Sequence, residues 1–422
     1  MLKKRILIHS IAFSPDGVST AYLYNDIALK LKEANFDVIV LTTTPHYNAI
    51  EAQLKNQLLH KKLAGFYYVS NYNGIKVIHI PQKKFNSTIL RLIGFIYWHI
   101  MSFFFALFQR NISVILSPSP PLTIGFINVL LSKIKGLKVI YNVQEIYPDF
   151  LINQGNLRFK PVINLLKWLE KYVYNHSHAV TTIDEVFYDT IVGRIRDKSK
   201  LTIIPNFVDT TIFKPIDKNS IVLNKVDFPD NTKILKVMYA GNIGVAQDWD
   251  PLIDVAIKLQ SYPIEFWIIG EGVKKNFLIE EIARRKLSNI HLLDYQPRDL
   301  MPQLIAYADI HFIFMAPKMA GQGFPSKVYT ILSCAKPLLV LSGENTPIIN
   351  FLQAQNSSYL ITDGDAQIKT LKLEELLKYL SKNTSSLDEM GKKGKDVILK
   401  NYSSGAVTTK YIDLITKLCT DG

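Results

Sequence analysis

The stretch richest in chemical possibility is Gln322-Gly323-Phe324-Pro325-Ser326-Lys327, continuing through Val328 and Tyr329 to Thr330. It reads as a glycine-rich turn opening into a helix, so the first helical N–H groups and the positive end of the helix dipole would converge on one point and suit a phosphate. Lys327, in the first turn, adds a positive charge there. Pro and Ser also begin ordinary helices, and that plainer reading stays open. A second turn, Gly241-Asn242-Ile243-Gly244, runs on to Gln247 and reads either as a ligand loop or as a simple strand-to-helix turn. In the first half, the loop with Asp16, Gly17 and Ser19 joins a strand to a helix and could contact a phosphate or an acceptor, or be only a turn. Glu145 ends a buried strand as the carboxylate best placed to face a cleft, or caps a helix. His46, in Pro45-His46-Tyr47-Asn48, can bind an acceptor or move a proton near neutral pH, although a loop histidine is often only polar surface.

These residues need elements to hold them. Short β-branched runs alternate with longer amphipathic stretches, the pattern of βαβ units on a parallel sheet. Strands are expected at 5–9, 37–42, 114–117 and 138–143, and a helix over 21–33, where Leu23, Ile27 and Leu31 recur every four residues. A second series follows, with strands at 236–239, 264–269, 290–293, 311–314 and 337–341 and helices over 251–259, 274–285 and 327–334. Between the series, Ile203-Ile204-Pro205-Asn206-Phe207-Val208-Asp209 and a polar stretch with Pro215 and Pro229 read as a hinge. The expected fold class is α/β, two Rossmann-like domains facing each other across a cleft and binding ligands at the carboxyl ends of their strands.

Composition narrows the partners. With 48% hydrophobic and 20% charged residues, the 422-residue chain is globular rather than disordered or fibrous. Its formal charge of +13 is one-sided: residues 1–200 hold 24 Lys/Arg against 12 Asp/Glu, residues 201–422 hold 25 against 24. Such an excess points to nucleic acid, an anionic membrane or a phosphorylated substrate. No nucleic-acid reading motif accompanies it, so nucleic acid is set aside. Cys334 and Cys419 give no disulfide framework, and the default is a reducing, cytoplasmic setting. Lys3-Lys4-Arg5 before Ile6-Leu7-Ile8 imitates a signal peptide, but His9 interrupts the apolar run and Ser14-Pro15-Asp16-Gly17 ends it.

Residues 88–108, TILRLIGFIYWHIMSFFFALF, would form about 30 Å of helix. They fit a helix docked on a membrane surface, a buried core helix or, least well because of Arg91, His99 and Ser102, a membrane span. Lys83, Lys84, Arg91 and Arg110 at the flanks favour docking on anionic headgroups.

In order and spacing the motifs resemble the GT-B glycosyltransferases of family 4 (group 1), relatives of glycogen synthase and sucrose synthase. Three further segments carry the resemblance across the chain: Val143-Gln144-Glu145-Ile146-Tyr147-Pro148-Asp149, Ile204-Pro205-Asn206-Phe207-Val208-Asp209 and Ile269-Gly270-Glu271-Gly272. Gly241-Asn242-Ile243-Gly244 and Gly323-Phe324-Pro325-Ser326-Lys327 look like its WbuB-like, colanic-acid-type branch, which builds bacterial surface polysaccharides. The chain departs from the family at four places. Gln322 and Thr330 stand where two glutamates contact the donor, and Asn242 and Gln247 where an Arg and a Lys neutralise the departing diphosphate.

The resemblance implies a GT-B fold, with residues 1–205 on the acceptor side, 206–395 holding the nucleotide sugar, and 396–422 a helix returning to the first domain. It implies sugar transfer with retention from a nucleotide diphosphate sugar, of UDP-N-acetylhexosamine type, to a hydroxyl of a lipid-linked saccharide, with no metal and no cofactor. Lys327, Glu145, His46 and Gln322 would carry the reaction. Gly241, Asn242, Gly244, Gln247, Gly270, Tyr295, Gly323, Phe324, Pro325, Ser326 and Thr330 would hold the donor, and Asp16, Gly17 and Ser19 would meet acceptor or phosphate. The implied partners are nucleotide sugar and saccharide acceptor, to which the basic first half and residues 88–108 add an anionic membrane surface, on the cytoplasmic face of the inner membrane. Two other readings stay open: a nucleotide-sugar 2-epimerase on the same scaffold, and a catalytically weak binding protein that has lost the charged motif residues.

Overall fold

The computed structural model of the chain describes residues 3–48, 51–83, 87–153, 155, 157–224, 227–229, 231, 233–317 and 324–420, which leaves Lys84 outside the described residues. The chain divides into two compact units, Met1–Asn206 with Gly405–Gly422, and Phe207–Ser404.

The first unit is built on β1 (Arg5–His9), β2 (Asp37–Thr43), β3 (His60–Lys62), β4 (Tyr67–Tyr72), β5 (Ile75–Ile80), β6 (Ile112–Ser119), β7 (Lys138–Val143), β8 (Ala179–Thr182) and β9 (Leu201–Ile203). They form one sheet in the order β3-β4-β5-β2-β1-β6-β7-β8-β9. It is parallel from β5 to β9 and antiparallel through β3, β4 and β5. The central strands β1, β2, β6 and β7 bury nearly every residue, as strands covered on both faces must. β3, fully exposed, closes the edge with Lys61 and Lys62, which discourage further strand pairing.

The helices of this unit are α1 (Ser19–Glu33), α2 (Glu51–Asn56), α3 (Thr88–Phe108), α4 (Leu122–Lys135), α5 (Asp149–Asn153), α6 (Lys160–His176) and α7 (Glu185–Val192). α4 packs on β6 and β7 and touches both α3 and α6. One core results, in which Leu7, Ile115, Val139 and Tyr141 of the sheet meet Trp98 and Ala106 of α3 and Val173 and Tyr174 of α6.

The second unit has six parallel strands, β10 (Leu235–Ala240), β11 (Ile264–Ile269), β12 (Ile290–Leu293), β13 (Ile310–Phe314), β14 (Leu338–Leu341) and β15 (Ser358–Ile361). Their order is β12-β11-β10-β13-β14-β15. Around them lie α8 (Asp250–Lys258), α9 (Lys275–Arg285), α10 (Met301–Tyr307), α11 (Lys327–Ser333), α12 (Pro347–Gln355), α13 (Ala366–Lys382) and α14 (Ser385–Asn401), and α15 (Ser404–Thr420) counts with the first unit from Gly405 on. The chain passes back at Ser404 rather than at 396, because α14 is locked to the second unit. Gly391 lies so close to the end of α11 that a Cβ there would stand 2.0 Å from the Ala335 carbonyl oxygen.

Candidate active site

β10 and β11 are neighbours, and the loops leaving their carboxyl ends stack backbone on backbone. Gly241 N–H donates to Ile269 O at 2.9 Å, Ile243 N–H to Glu271 O at 2.8 Å, and Lys274 N–H to Ile243 O at 2.9 Å. Side chains do not fit in this layer. A Cβ at Gly270 would lie 1.9 Å from Gly241 O and one at Gly272 2.2 Å from Ile243 O, and the two glycines sit at φ +149° and +156°, where L residues are strained. Side chains finish the clamp from outside: the Tyr239 hydroxyl donates to Asn242 O at 2.7 Å and Trp249 Nε1 to Gly244 O at 3.2 Å. Gln247 accepts from Phe314 N–H through Oε1 at 3.1 Å, fastening the loop to β13. The result is a rigid ledge from which Asn242 is exposed.

Lys327, the first residue of α11, reaches this ledge. Its Nζ donates to Ala240 O at 3.1 Å and stands 3.8 Å from the centre of the Tyr239 ring, a cation–π position. It also lies 2.6 Å from where a Cβ at Gly241 would be, so only glycine lets the amine in. Burial pushes its pKa down from 10.5 to about 7, because the ammonium has left water. An anion placed here would restore the charge.

The structure thus gathers Gly241, Asn242, Gly244, Gly270 and Lys327 at one point. The Asn242 side chain lies across the neighbouring glycines, its Nδ2 2.9 Å from a Cβ position at Gly244 and its Oδ1 2.6 Å from one at Gly272. Gln322 and Gly323 lie outside the described residues. Phe324 packs into an aromatic cluster with Tyr329 (5.0 Å) and Phe351 (4.9 Å), and Tyr329 stacks on Tyr402 (4.9 Å), which seats the start of α11. Pro325 O accepts from Val328 N–H and Ser326 O from Tyr329 N–H, so the carbonyls of these two residues shape the turn into the helix. Ser326 is exposed and Thr330 half-buried on α11. Tyr295 is exposed on the loop after β12, next to Asp294, which shares Lys275 with Glu271 of the β11 loop. Tyr239 is the site residue that motif reading passes over, and Gly272, present in the Ile269–Gly272 motif, gains a role only from the packing of the two loops.

In the first unit, the residues named from sequence collect at the carboxyl ends of β1, β2 and β7. Asp16 is 2% exposed and accepts three backbone N–H bonds, from His46 (3.1 Å), Tyr47 (3.1 Å) and Asn48 (2.8 Å). Its carboxylate therefore ties the β1 loop to the β2 loop, and Gly17 N–H, donating to Asn48 O at 2.8 Å, adds to the tie. His46 Nδ1 lies 2.9 Å from Thr44 O, which orients the ring. Ser19 is exposed at the start of α1. Glu145 is half-buried, and that burial raises its carboxyl pKa against the pull of a hydrogen bond from Tyr147. Gln144 and Asn206 exchange amide hydrogen bonds at 3.0 and 2.9 Å, which joins two of the sequence motifs physically.

Two α/β units, one on a mixed and one on a parallel sheet, give the chain the fold of the GT-B glycosyltransferases. More particularly, residues 19–212 match the family model described as Glycosyltransferase Family 4. The chain is 24% identical over 340 residues to Escherichia coli WcaI, described as a colanic acid biosynthesis glycosyl transferase, covering 78% of this chain and 81% of that protein. It is 20% identical over 319 residues to the Pseudomonas aeruginosa glycosyltransferase WbjE, with 74% and 76% covered. Among solved structures, Anabaena HepE in complex with UDP-glucose superposes with a TM-score of 0.69 at 14% identity, covering 98% of this chain and 99% of that one.

Proposed function

We propose that the chain moves a hexosyl or N-acetylhexosaminyl residue from a UDP-sugar to a hydroxyl group of a lipid-linked saccharide, retaining anomeric configuration, during assembly of a surface polysaccharide such as an O-antigen. The observation that carries this is the Lys327 amine, held on the glycine ledge where an anion would recharge it. In this reading the diphosphate lies over Gly241, Asn242 and Gly244. The acceptor hydroxyl attacks the anomeric carbon as the bond to the β-phosphate oxygen breaks, and its proton passes to the departing diphosphate, so the reaction needs no metal. Lys327 stabilises the charge that develops. His46 and Glu145 orient the acceptor. The enzyme works peripherally on the cytoplasmic face of the membrane, where α3 docks.

Support for UDP comes from the UDP-glucose bound by HepE, and support for the polysaccharide from the description of WcaI. A proton balance tests the placement of Lys327. With a pKa of about 7 the free amine is mostly neutral at pH 8, and a diphosphate partner raises its pKa, so UDP binding is expected to take up nearly one proton. Calorimetry in buffers of different ionisation heat reads this uptake, and Lys327→Met is expected to abolish it. UDP binding without uptake in the wild type would remove the amine from the phosphate.

A thermal-shift screen against UDP, GDP and dTDP sugars tests the base, with the largest stabilisation expected for UDP. Sugar conversion is expected only when an acceptor is present; conversion without one would point to an epimerase.

A further inference from the structure

Helix α3 packs inward through Trp98, Ser102 and Ala106, all fully buried. Its opposite side turns Ile93, Ile96, Ile100, Phe104 and Phe108 to solvent, each between 46% and 73% exposed. Among the described residues it is the helix long and apolar enough to cross a membrane, yet only 17% of its most apolar stretch is buried, so the core-helix reading fails.

The apolar surface continues beyond α3. On α4, Phe126, Leu130 and Ile134 follow one another at four-residue spacing, the first two half-buried and Ile134 60% exposed. On α6, Leu165 and Trp168 are 59% and 55% exposed. The two helices are stitched together there: Trp168 stacks on Tyr172 at 5.4 Å, Tyr172 meets Phe126 at 5.7 Å, and Lys133 donates to the Tyr172 hydroxyl at 2.8 Å. Lys160, Lys167 and Lys171 form an exposed stripe along the same helix.

Charge selects the occupant. Helices α3, α4 and α6 together carry six Lys/Arg and one acid, Glu170. Glu170 is 1% exposed and pairs with Arg194 at 2.6 Å, so no carboxylate of these helices faces outward. A second copy of the chain would set these amines against one another. An anionic bilayer matches both parts of the surface, since aromatic side chains settle at the interface and lysine stems run along apolar surface while their amines reach headgroups.

We propose that α6 is a second membrane-docking element: Leu165 and Trp168 enter the interfacial layer of an anionic bilayer beside α3, while Lys160, Lys167 and Lys171 engage lipid phosphates. This rests on the reading of a membrane-borne acceptor and adds to it a second contact line, which would fix how the first unit is oriented on the membrane rather than only tether it.

The test is co-sedimentation of the full chain with phosphatidylcholine vesicles containing 30% phosphatidylglycerol, at low salt. The wild type is expected to bind, and to bind less to phosphatidylcholine alone. The triple variant Lys160→Gln, Lys167→Gln, Lys171→Gln is expected to lose about a hundred-fold in partitioning, about five-fold per lysine. Leu165→Ser with Trp168→Ser is expected to lose at least about ten-fold. Both should melt as the wild type does and keep its UDP-induced stabilisation, which separates lost docking from lost folding. If both α6 variants bind like the wild type while Ile96→Ser with Phe104→Ser releases the protein, the α6 proposal falls and α3 docking stands. If the wild type itself does not bind, both fall. A wild-type dimer that Trp168→Ser converts to monomer would make the patch a protein interface and overturn the proposal as well.

Discussion

Replacing Lys327 by alanine is expected to lower turnover about 10²–10³-fold, the usual loss when one preorganised donor is removed from a developing anion. The loss is expected in kcat at saturating donor. The positions where related enzymes carry an Arg and a Lys hold Asn242 and Gln247 here, and Gln247 already bonds to Phe314 N–H. Asn242 can donate a hydrogen bond to a phosphate but brings no charge. Among the residues gathered on the ledge, the charge therefore falls to Lys327.

A stability measurement separates this role from a structural one. The folded pKa is about 7 and the ordinary value 10.5, so between these values the unfolded chain binds more protons and stability rises with pH through that window. Below pH 7 both states carry the proton, and the penalty of the buried ammonium is present in full. Lys327→Met is accordingly expected to melt above the wild type at pH 6, with the advantage shrinking as pH rises from 7 to 10, while turnover stays low throughout. A variant that melts lower at pH 6 would mean the amine serves the fold, and near wild-type rates would remove it from the reaction.

How far the sequence could be read depends on what each segment has to do. Strands 5–9, 138–143 and 264–269 coincide with β1, β7 and β11 because central parallel strands are covered on both faces and become short apolar runs, and 290–293 coincides with β12, a half-buried edge strand of the second sheet. The helix over 88–108 coincides with α3 because its apolar length leaves few alternatives. The antiparallel β4–β5 hairpin escapes a βαβ pattern altogether. Its signal was a different one, Asn73-Gly74 at φ +47° and +79° between two β-rich runs, which is turn chemistry rather than periodicity.

The candidate site divides the same way. Lys327 and the glycines are visible because a phosphate loop demands those residue types. Tyr239 is not, because an aromatic residue ending a buried strand looks like core until the amine is seen above its ring. Asp16 reads as a ligand-facing carboxylate, but its three backbone partners lie thirty or more residues away, and only the fold brings them to it. Trp168 and Leu165 sit at helical spacing that looks like a core stripe; their exposure depends on where α4 ends up.

A single methyl added at Gly270, as in Gly270→Ala, is expected to damage the second unit severely. Its Cβ would stand 1.9 Å from Gly241 O, and that oxygen has little room to retreat: the Gly241–Asn242 peptide is held between the Gly241 N–H bond to Ile269 O on one side and the Tyr239 hydroxyl bond to Asn242 O on the other. The φ of +149° adds strain for any L side chain. Together these are expected to destabilise by about 3 kcal/mol or more, a fall in Tm of about 6–12 °C for a unit of this size. Gly364→Ala is the control, since a Cβ there meets nothing within 4 Å and its φ is not positive. It is expected to stay within about 1 kcal/mol of the wild type. Thermal denaturation of the two variants, with and without UDP, tests both the packing and its purpose. Where Gly270→Ala still folds at low temperature, its displaced ledge should weaken UDP-induced stabilisation while Gly364→Ala keeps it. Equal melting of the two would mean that the β10 and β11 loops give way easily, and the rigid platform under Lys327 would then be lost from the mechanism.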